Sequence, residues 1–287
     1  MNVSKFEISN ALDIVDLDRY PIQHSEDPRL QRVIKRAHAD LDSDGCAVIP
    51  GFVRPDLHQT LCEETTTLAP KATFSEEPYT PYGTLADNSF PHGHPRRAAY
   101  RTTIGNVGKD QIPEQTLIKR LYYSDLFKEF LAACLKADKI YEFADPIRGL
   151  TINTMQDGAR LGWHFDANEF VVSLLARGAN DGGLFEYCPG IRESGNENYA
   201  AVQSVLEGAR ERVKVLDLKV GDLQLFKGRF SLHRVTQVVG NRHTVIFGYA
   251  REPGFIGKVE STLRVYGRVC QEHIEAEAQC HGDGLTD

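Results

Sequence analysis

Little in this chain directs it to a membrane, an oxidising compartment or a nucleic acid. The start, Met1-Asn2-Val3-Ser4-Lys5, has no apolar h-region behind it, and no uninterrupted apolar run approaches the length of a transmembrane helix. These absences predict a cytoplasmic protein without a membrane partner. The six cysteines (46, 62, 134, 188, 270 and 280) are far apart and form no CxxC pair, which argues against a disulfide framework and fits reduced thiols. Basic charge is also short: 33 Lys and Arg against 40 Asp and Glu give a net charge of −7, so no nucleic-acid partner is expected. There is no P-loop, no dinucleotide fingerprint after a strand, no HExxH, no internal repeat and no low-complexity segment. Nothing in the sequence dictates an oligomeric state.

What is present is an ordinary globular composition, 41% hydrophobic and 25% charged over 287 residues, enough for one full core. Residues 1–27 alternate weakly and read as an outer wrapping. From Arg29, the positions Leu30, Val33, Ile34, Ala37 and Leu41 keep helical spacing until Gly45. Cys46 to Ile49 reads as a short strand. Pro55 opens a second helix with Leu57, Leu61 and Leu68 inside. Residues 70–112, rich in Pro, Gly, His and Tyr, have no sustained period and read as a lid loop. A helical pair follows at 113–122 and 124–136, with Ser124 as N-cap of the second. From Arg148 short β-rich runs take over, at 148–156, 169–176, 183–188, 213–218, 223–227, 232–238 and 243–250, punctuated by glycine turns. An insertion at 189–212 reads as helical around Tyr199, Val202, Val205 and Leu206. The expected fold is mainly β with N-terminal helices, a double-stranded β-helix of the jelly-roll or cupin type. Residues 1–287 then form one domain: 1–147 largely helical support plus the lid, 148–267 the barrel core, and 268–287 a polar tail that frays.

The chemistry concentrates in Trp163-His164-Phe165-Asp166, answered by Ser231-Leu232-His233-Arg234-Val235. In an extended backbone, side chains at i and i+2 point the same way, so His164 and Asp166 can reach one ion. With His233 from another strand they make a 2-His-1-carboxylate set, the facial triad of non-haem Fe(II), which leaves three octahedral positions open. Arg242 then comes two residues before Thr244, ahead of the apolar run Val245-Ile246-Phe247. A guanidinium fork and a hydroxyl on one strand face suit the far carboxylate of a dicarboxylic acid.

In this order the residues resemble the Fe(II)/2-oxoglutarate-dependent dioxygenase superfamily: HxD, a distal His, then Arg-x-Ser/Thr. The resemblance implies that His164, Asp166 and His233 hold Fe(II), while Arg242 and Thr244 anchor the C5 carboxylate of 2-oxoglutarate. Gly162 to Val172, Gly182 to Tyr187, Leu225 to Arg229 and Ser231 to Val235 look like one branch of it. That branch contains hydroxylases and radical halogenases of free amino acids and related ring-forming oxygenases, and the likeness covers about residues 85–267. Its halogenases replace the HxD carboxylate with glycine. This chain keeps Asp166, which argues against halogenation. The implied reaction consumes O2 and 2-oxoglutarate, releases succinate and CO2, and oxidises an unactivated C–H bond of a small molecule, first of all a free amino acid, by hydroxylation. Aziridine-type C–N ring closure or desaturation starts from the same hydrogen abstraction. The rivals outside oxygenase chemistry are a metal-dependent cupin-like hydrolase or isomerase and a metabolite-binding barrel. Neither needs the dicarboxylate clamp of Arg242 and Thr244.

Asn153, on the strand entering the metal loop, is a further candidate for the cosubstrate, since a buried amide needs partners. For the substrate the candidates are Arg97, Arg101 and Arg251 as carboxylate partners, with Trp163, Asn168 and Glu186 beside them. His92 and His94 pair by the same i, i+2 logic but have no carboxylate or cysteine near in sequence, so they read as a solvated or substrate-side loop. Cys270, His273, Cys280 and His281 match no tight zinc spacing.

Overall fold

Two antiparallel sheets facing one another across a cavity form the centre of the computed structural model, which describes residues 10–75 and 77–279. The larger has seven strands in the order β1 (Cys46–Ile49), β11 (Leu223–Phe226), β7 (Val171–Arg177), β14 (Arg242–Phe247), β5 (Leu150–Met155), β3 (Gly105–Val107) and β2 (Thr73–Phe74). The smaller runs β10 (Lys214–Leu216), β9 (Phe185–Cys188), β12 (Leu232–Val235) and β6 (Leu161–His164). Two short ladders close the corners, β8 (Asp181–Gly182) with β13 (Val238–Val239) and β4 (Tyr141–Glu142) with β15 (Tyr249–Ala250). This is the expected double-stranded β-helix, mainly β with helices on the outside of one sheet.

Strand alternation explains why the larger sheet has one dry face and one chemical face. Along β14, Val245 and Phe247 join the main apolar core, whereas Arg242, Thr244 and Ile246 line the cavity. The same split separates Leu150 and Ile152 from Thr151, Asn153 and Met155 in β5. In β11 it separates Leu223 and Leu225 from Gln224 and Phe226.

The dry face is covered by α1 (Pro28–Asp44), α2 (His58–Leu68), α3 (Leu117–Tyr123) and α4 (Asp125–Cys134). Helix α1 starts where the Asp27 carboxylate accepts the Arg29 N–H and Pro28 fixes the first turn. It ends at Gly45, whose φ of 64° is the left-handed conformation that glycine adopts without a Cβ clash. Phe52 is fully buried and stacks on Phe130, ring centroids 5.7 Å apart, tying the β1–α2 connection to α4. Burying a ring of this kind contributes about 1.5–3 kcal/mol.

Several elements differ from expectation. Leu161–His164 is a strand, although Gly162 reads in sequence as a turn residue: the glycine is selected by close packing, since a Cβ there would lie 3.2 Å from the Tyr100 Cβ. The long loop 70–112 contains β2 and β3, which extend the larger sheet. The 232–238 run breaks into β12 and β13, and 243–250 breaks at Gly248, where a Cβ would meet the Gly149 carbonyl at 3.1 Å. The insertion holds α5 (Tyr199–Leu206), as expected.

The region assigned to the barrel up to 267 ends in a helix, α6 (Val259–Tyr266). Beyond it, the stretch expected to fray forms α7 (Gln271–Gln279). This helix is held by His273, fully buried, whose Nδ1 accepts the Cys270 N–H, so that Nε2 donates to Asp145 at 3.1 Å. Cys280 and His281 lie outside the described residues. The described cysteines are all free thiols, and no helix among the described residues is long and apolar enough to cross a membrane.

Candidate active site

His164 is the last residue of β6 and His233 lies in β12, its direct partner in the antiparallel ladder. Opposed residues on one face of such a ladder have Cβ atoms about 4.5–5.5 Å apart. The two imidazoles therefore meet, with centroids 4.0 Å apart. Each ring is fixed by its own strand: His164 Nδ1 lies 2.8 Å from the Gly162 carbonyl and His233 Nδ1 lies 2.9 Å from that of Ser231. A carbonyl only accepts, so both Nδ1 atoms carry the proton and both Nε2 lone pairs face the cavity. That is the tautomer a metal requires.

Asp166 follows β6 and turns back toward the rings. Its Oδ1 lies 3.8 Å from His164 Nε2 and its Oδ2 3.5 Å from His233 Nε2. The three candidate ligand atoms lie within 4.8 Å of one another, and no other group of three or more His, Cys, Asp or Glu residues among the described residues converges in this way. The turn is held by the Asp166 N–H donating to the Gly228 carbonyl at 3.2 Å. Gly228 has to be glycine, because a Cβ there would sit 1.7 Å from Asp166 Oδ2. Burial, aided by His233, pushes His164 down to about 4, so its ring is neutral at neutral pH. Two imidazoles fixed through their Nδ1 atoms and one carboxylate, converging on one point, are a donor set that fits Fe(II).

These residues border a cavity of about 450 Å³. Phe185 and Phe226 pack on the inner side of His233, with ring centroids 5.6 and 4.8 Å away. On the facing sheet, Arg242 is buried and donates from Nη1 to Thr244 Oγ1 at 2.5 Å. Among the described residues no carboxylate pairs with it, and burial alone lowers its pKa to about 10. A buried guanidinium without a counter-ion is costly, and a carboxylate entering the cavity relieves that cost. Asn153 stands opposite Thr244 in the β5–β14 register and donates to Asn106 Oδ1 at 2.6 Å. The cavity therefore gathers His164, Asp166, His233, Arg242, Thr244 and Asn153 on its walls.

The residues expected to meet substrate mostly go elsewhere. Glu186 is buried on the far side of β9, where it accepts from Arg210 at 2.9 and 2.5 Å and from Arg234 at 2.7 Å. It holds the smaller sheet together and does not reach the cavity. Trp163 borders the cavity, but its side chain belongs to an apolar cluster with Cys188, Val202 and Leu232, under the Arg234 guanidinium at 4.6 Å. Alternation along β6 requires this once His164 faces inward. Arg97 donates to the Phe90 carbonyl at 3.1 Å within the loop. Arg101 is exposed and lines a separate depression with Phe74 and Gln156. Arg251 pairs with Glu169 on the surface, both contacts 3.0 Å. None of the three arginines lines the cavity, whereas Asn168 does. His94 stacks on Phe90, ring centroids 4.2 Å apart, and meets the Tyr199 ring at a tilt of 54°, 4.5 Å away.

Arg148 and Arg264, absent from the sequence-based candidates, do line the cavity. The signal for Arg264 lay in the amphipathic run that becomes α6. For Arg148, just ahead of β5 and separated from it by Gly149, no local pattern gives the direction of the side chain.

A family model described as HalD, Halogenase D, matches residues 30–260. No curated protein matches this sequence. Among solved structures, a prolyl hydroxylase from Trichoplax adhaerens, in complex with a hypoxia-inducible-factor peptide fragment, superposes with a TM-score of 0.52 at 14% identity, covering 77% of this chain and 90% of that one. An oxidoreductase of the 2OG-Fe(II) oxygenase family from Burkholderia pseudomallei gives a TM-score of 0.48 at 18% identity, with 77% and 92% covered.

Proposed function

The chain belongs to the Halogenase D family, within the Fe(II)/2-oxoglutarate-dependent oxygenases, and from that premise we propose that it hydroxylates an unactivated C–H bond of a free amino acid. It is an oxidoreductase whose cofactors are Fe(II), 2-oxoglutarate and O2. The observation that carries the reading is the pairing, in one cavity, of the convergent His164, Asp166 and His233 with the buried Arg242 that no described carboxylate neutralises.

In this reading His164 and His233 supply Nε2 and Asp166 one carboxylate oxygen to Fe(II). The Gly162 and Ser231 carbonyls fix ring orientation, and the Gly228 turn fixes the carboxylate. Arg242 and Thr244 bind the far carboxylate of 2-oxoglutarate, with Asn153 alongside. The bound metal, with cosubstrate and O2, supplies the oxidising power for C–H cleavage. The protein orients the substrate and excludes water, the latter through Phe185, Phe226 and Ile246 on the wall. Retention of Asp166 separates this chain from halogenases that carry glycine there, because the position a halide needs is filled.

The test is anaerobic addition of Fe(II) and 2-oxoglutarate, which should produce a weak visible charge-transfer band, followed by succinate release screened over free amino acids with mass analysis of the product. Gain of one oxygen supports hydroxylation, while loss of two hydrogens assigns ring closure or desaturation instead. No band, or no amino acid stimulating succinate release, overturns the proposal.

A further inference from the structure

The cavity has a second cationic end. Arg148 precedes β5 and Arg264 lies in α6, and both line the space bordered by the candidate metal site. Their hydrogen-bond partners are neutral: Arg148 Nη1 donates to Ser261 Oγ at 2.9 Å and Thr262 Oγ1 at 3.3 Å, and Arg264 Nη1 donates to the Gly83 carbonyl at 3.0 Å. Neither is in an ion pair with a carboxylate among the described residues. By contrast, Arg251, Arg210 and Arg192 each have one. Each guanidinium has five N–H donors, so these contacts orient the groups without exhausting them. Arg264 also lies over the Tyr79 ring, 4.6 Å from its centroid, and Tyr79 lines the same cavity.

This end is distinct from the Arg242 end. In the β5–β14 register Arg242 faces Met155, while Ile246 faces Thr151. Four residues of strand separate the two levels, about 13 Å. Thr151 belongs to the second level, where its hydroxyl meets that of Tyr266 at 2.6 Å, and Tyr266 follows Arg264 by two residues on α6. One cavity thus presents two cationic ends, and a single dicarboxylate cosubstrate held by Arg242 and the metal leaves the second with only the exposed Glu77 nearby, whose carboxylate accepts from the Tyr79 hydroxyl at 2.6 Å and forms no ion pair with Arg148 or Arg264. Apart from Asp166, Glu77 is the one carboxylate on the lining, so the wall carries three arginines against two acids.

We propose that Arg148 and Arg264 form the carboxylate-binding subsite for the primary substrate, with α6 as the element that sets specificity for an acid. This rests on the proposed oxygenase reading and deepens it: the substrate enters as a free acid, not as an amide or ester. A guanidinium pair discriminates strongly between these, because the neutral analogue leaves two partly buried cations without an anion.

The test uses the full-length protein with Fe(II) and 2-oxoglutarate under anaerobic conditions. The charge-transfer band is recorded first, then its perturbation by the twenty common L-amino acids and by their amides. An amino acid that perturbs the wild-type band should bind about tenfold or more weakly to Arg148→Met and Arg264→Met. Arg264→Lys should recover part of the loss, and Arg251→Met should bind like wild type. The amide should bind as poorly to wild type as the acid does to the variants. Retention of the 2-oxoglutarate band in each variant shows that the fold and the Arg242 end are intact; should Arg148→Met lose the band, the two Arg264 variants decide. Acid binding unchanged in the variants, amides that bind as well as acids, or no acid binding to wild type overturns the subsite while the band stands. Absence of the band in wild type overturns the oxygenase reading itself, and this inference with it.

Discussion

His164 and His233 face each other directly across the β6–β12 ladder, and each ring is pinned by the carbonyl two residues before it. The same local bond made twice, on opposed strands, aims two lone pairs at one point without help from any loop. The ladder thereby positions two of the three candidate ligands through backbone pairing alone. Such preorganisation is what separates a binding site from a chance cluster.

The first prediction concerns that ladder. Loss of an outer partner of a metal ligand costs roughly 10–100-fold in affinity. Removing a ligand itself should exceed that, so His233→Ala is expected to weaken Fe(II) binding by more than about 100-fold. Anaerobic Fe(II) titration checks it. Unchanged affinity would mean that the ion sits elsewhere.

Gly228→Ala should act on the same centre from outside the ligand set. Its Cβ would overlap Asp166 Oδ2, so the carboxylate must swing away while both strands stay in place. Weakening of Fe(II) by about tenfold or more is expected, with far-UV circular dichroism unchanged. A variant that binds iron normally would show that Asp166 can reach the metal from another rotamer.

Much of this centre was legible in the sequence because ligand chemistry restricts residue type. Only His, Asp and a few others can fill such positions, and strand alternation then dictates direction. Direction fails where strands end. Arg97, Arg101 and Arg251 had the right charge, yet loop geometry turned them to a carbonyl, to a separate depression and to Glu169. Glu186 sits in a strand, but its sequence neighbours do not reveal that Arg210 and Arg234 await it on the outer face. Strand β6 was hidden because Gly162 is chosen by contact with Tyr100, a long-range fact that no local propensity encodes.

Arg242→Met should separate cosubstrate binding from metal binding. The buried guanidinium has Thr244 as its hydrogen-bond partner, so its loss leaves no described carboxylate stranded and the fold should tolerate it. Truncating one partner of a buried, hydrogen-bonded charge pair costs about 2–5 kcal/mol. The affinity for 2-oxoglutarate should therefore fall by at least about 30-fold, while Fe(II) affinity stays within about twofold. Equal loss of both would indicate that Arg242 supports the fold instead of a dicarboxylate.

The last prediction reads pH through Glu64, which lies in α2 against the start of α3. Its carboxylate accepts the Leu117 N–H at 3.0 and 3.2 Å. Burial nevertheless raises its pKa from 4.5 to about 7, with the Leu117 bond and Arg120 opposing. The folded chain thus holds this proton more tightly than the unfolded chain. The contribution to stability is complete below pH 4.5 and is lost as pH rises from there through about 7. Its full size is on the order of 2 kcal/mol once partial solvent access is allowed for. Glu64→Gln keeps an acceptor for Leu117 but cannot ionise. Urea unfolding of both proteins at pH 5 and pH 8 should show the variant gaining relative stability at the higher pH. A parallel pH dependence in the two proteins would show that Glu64 ionises freely in the folded state.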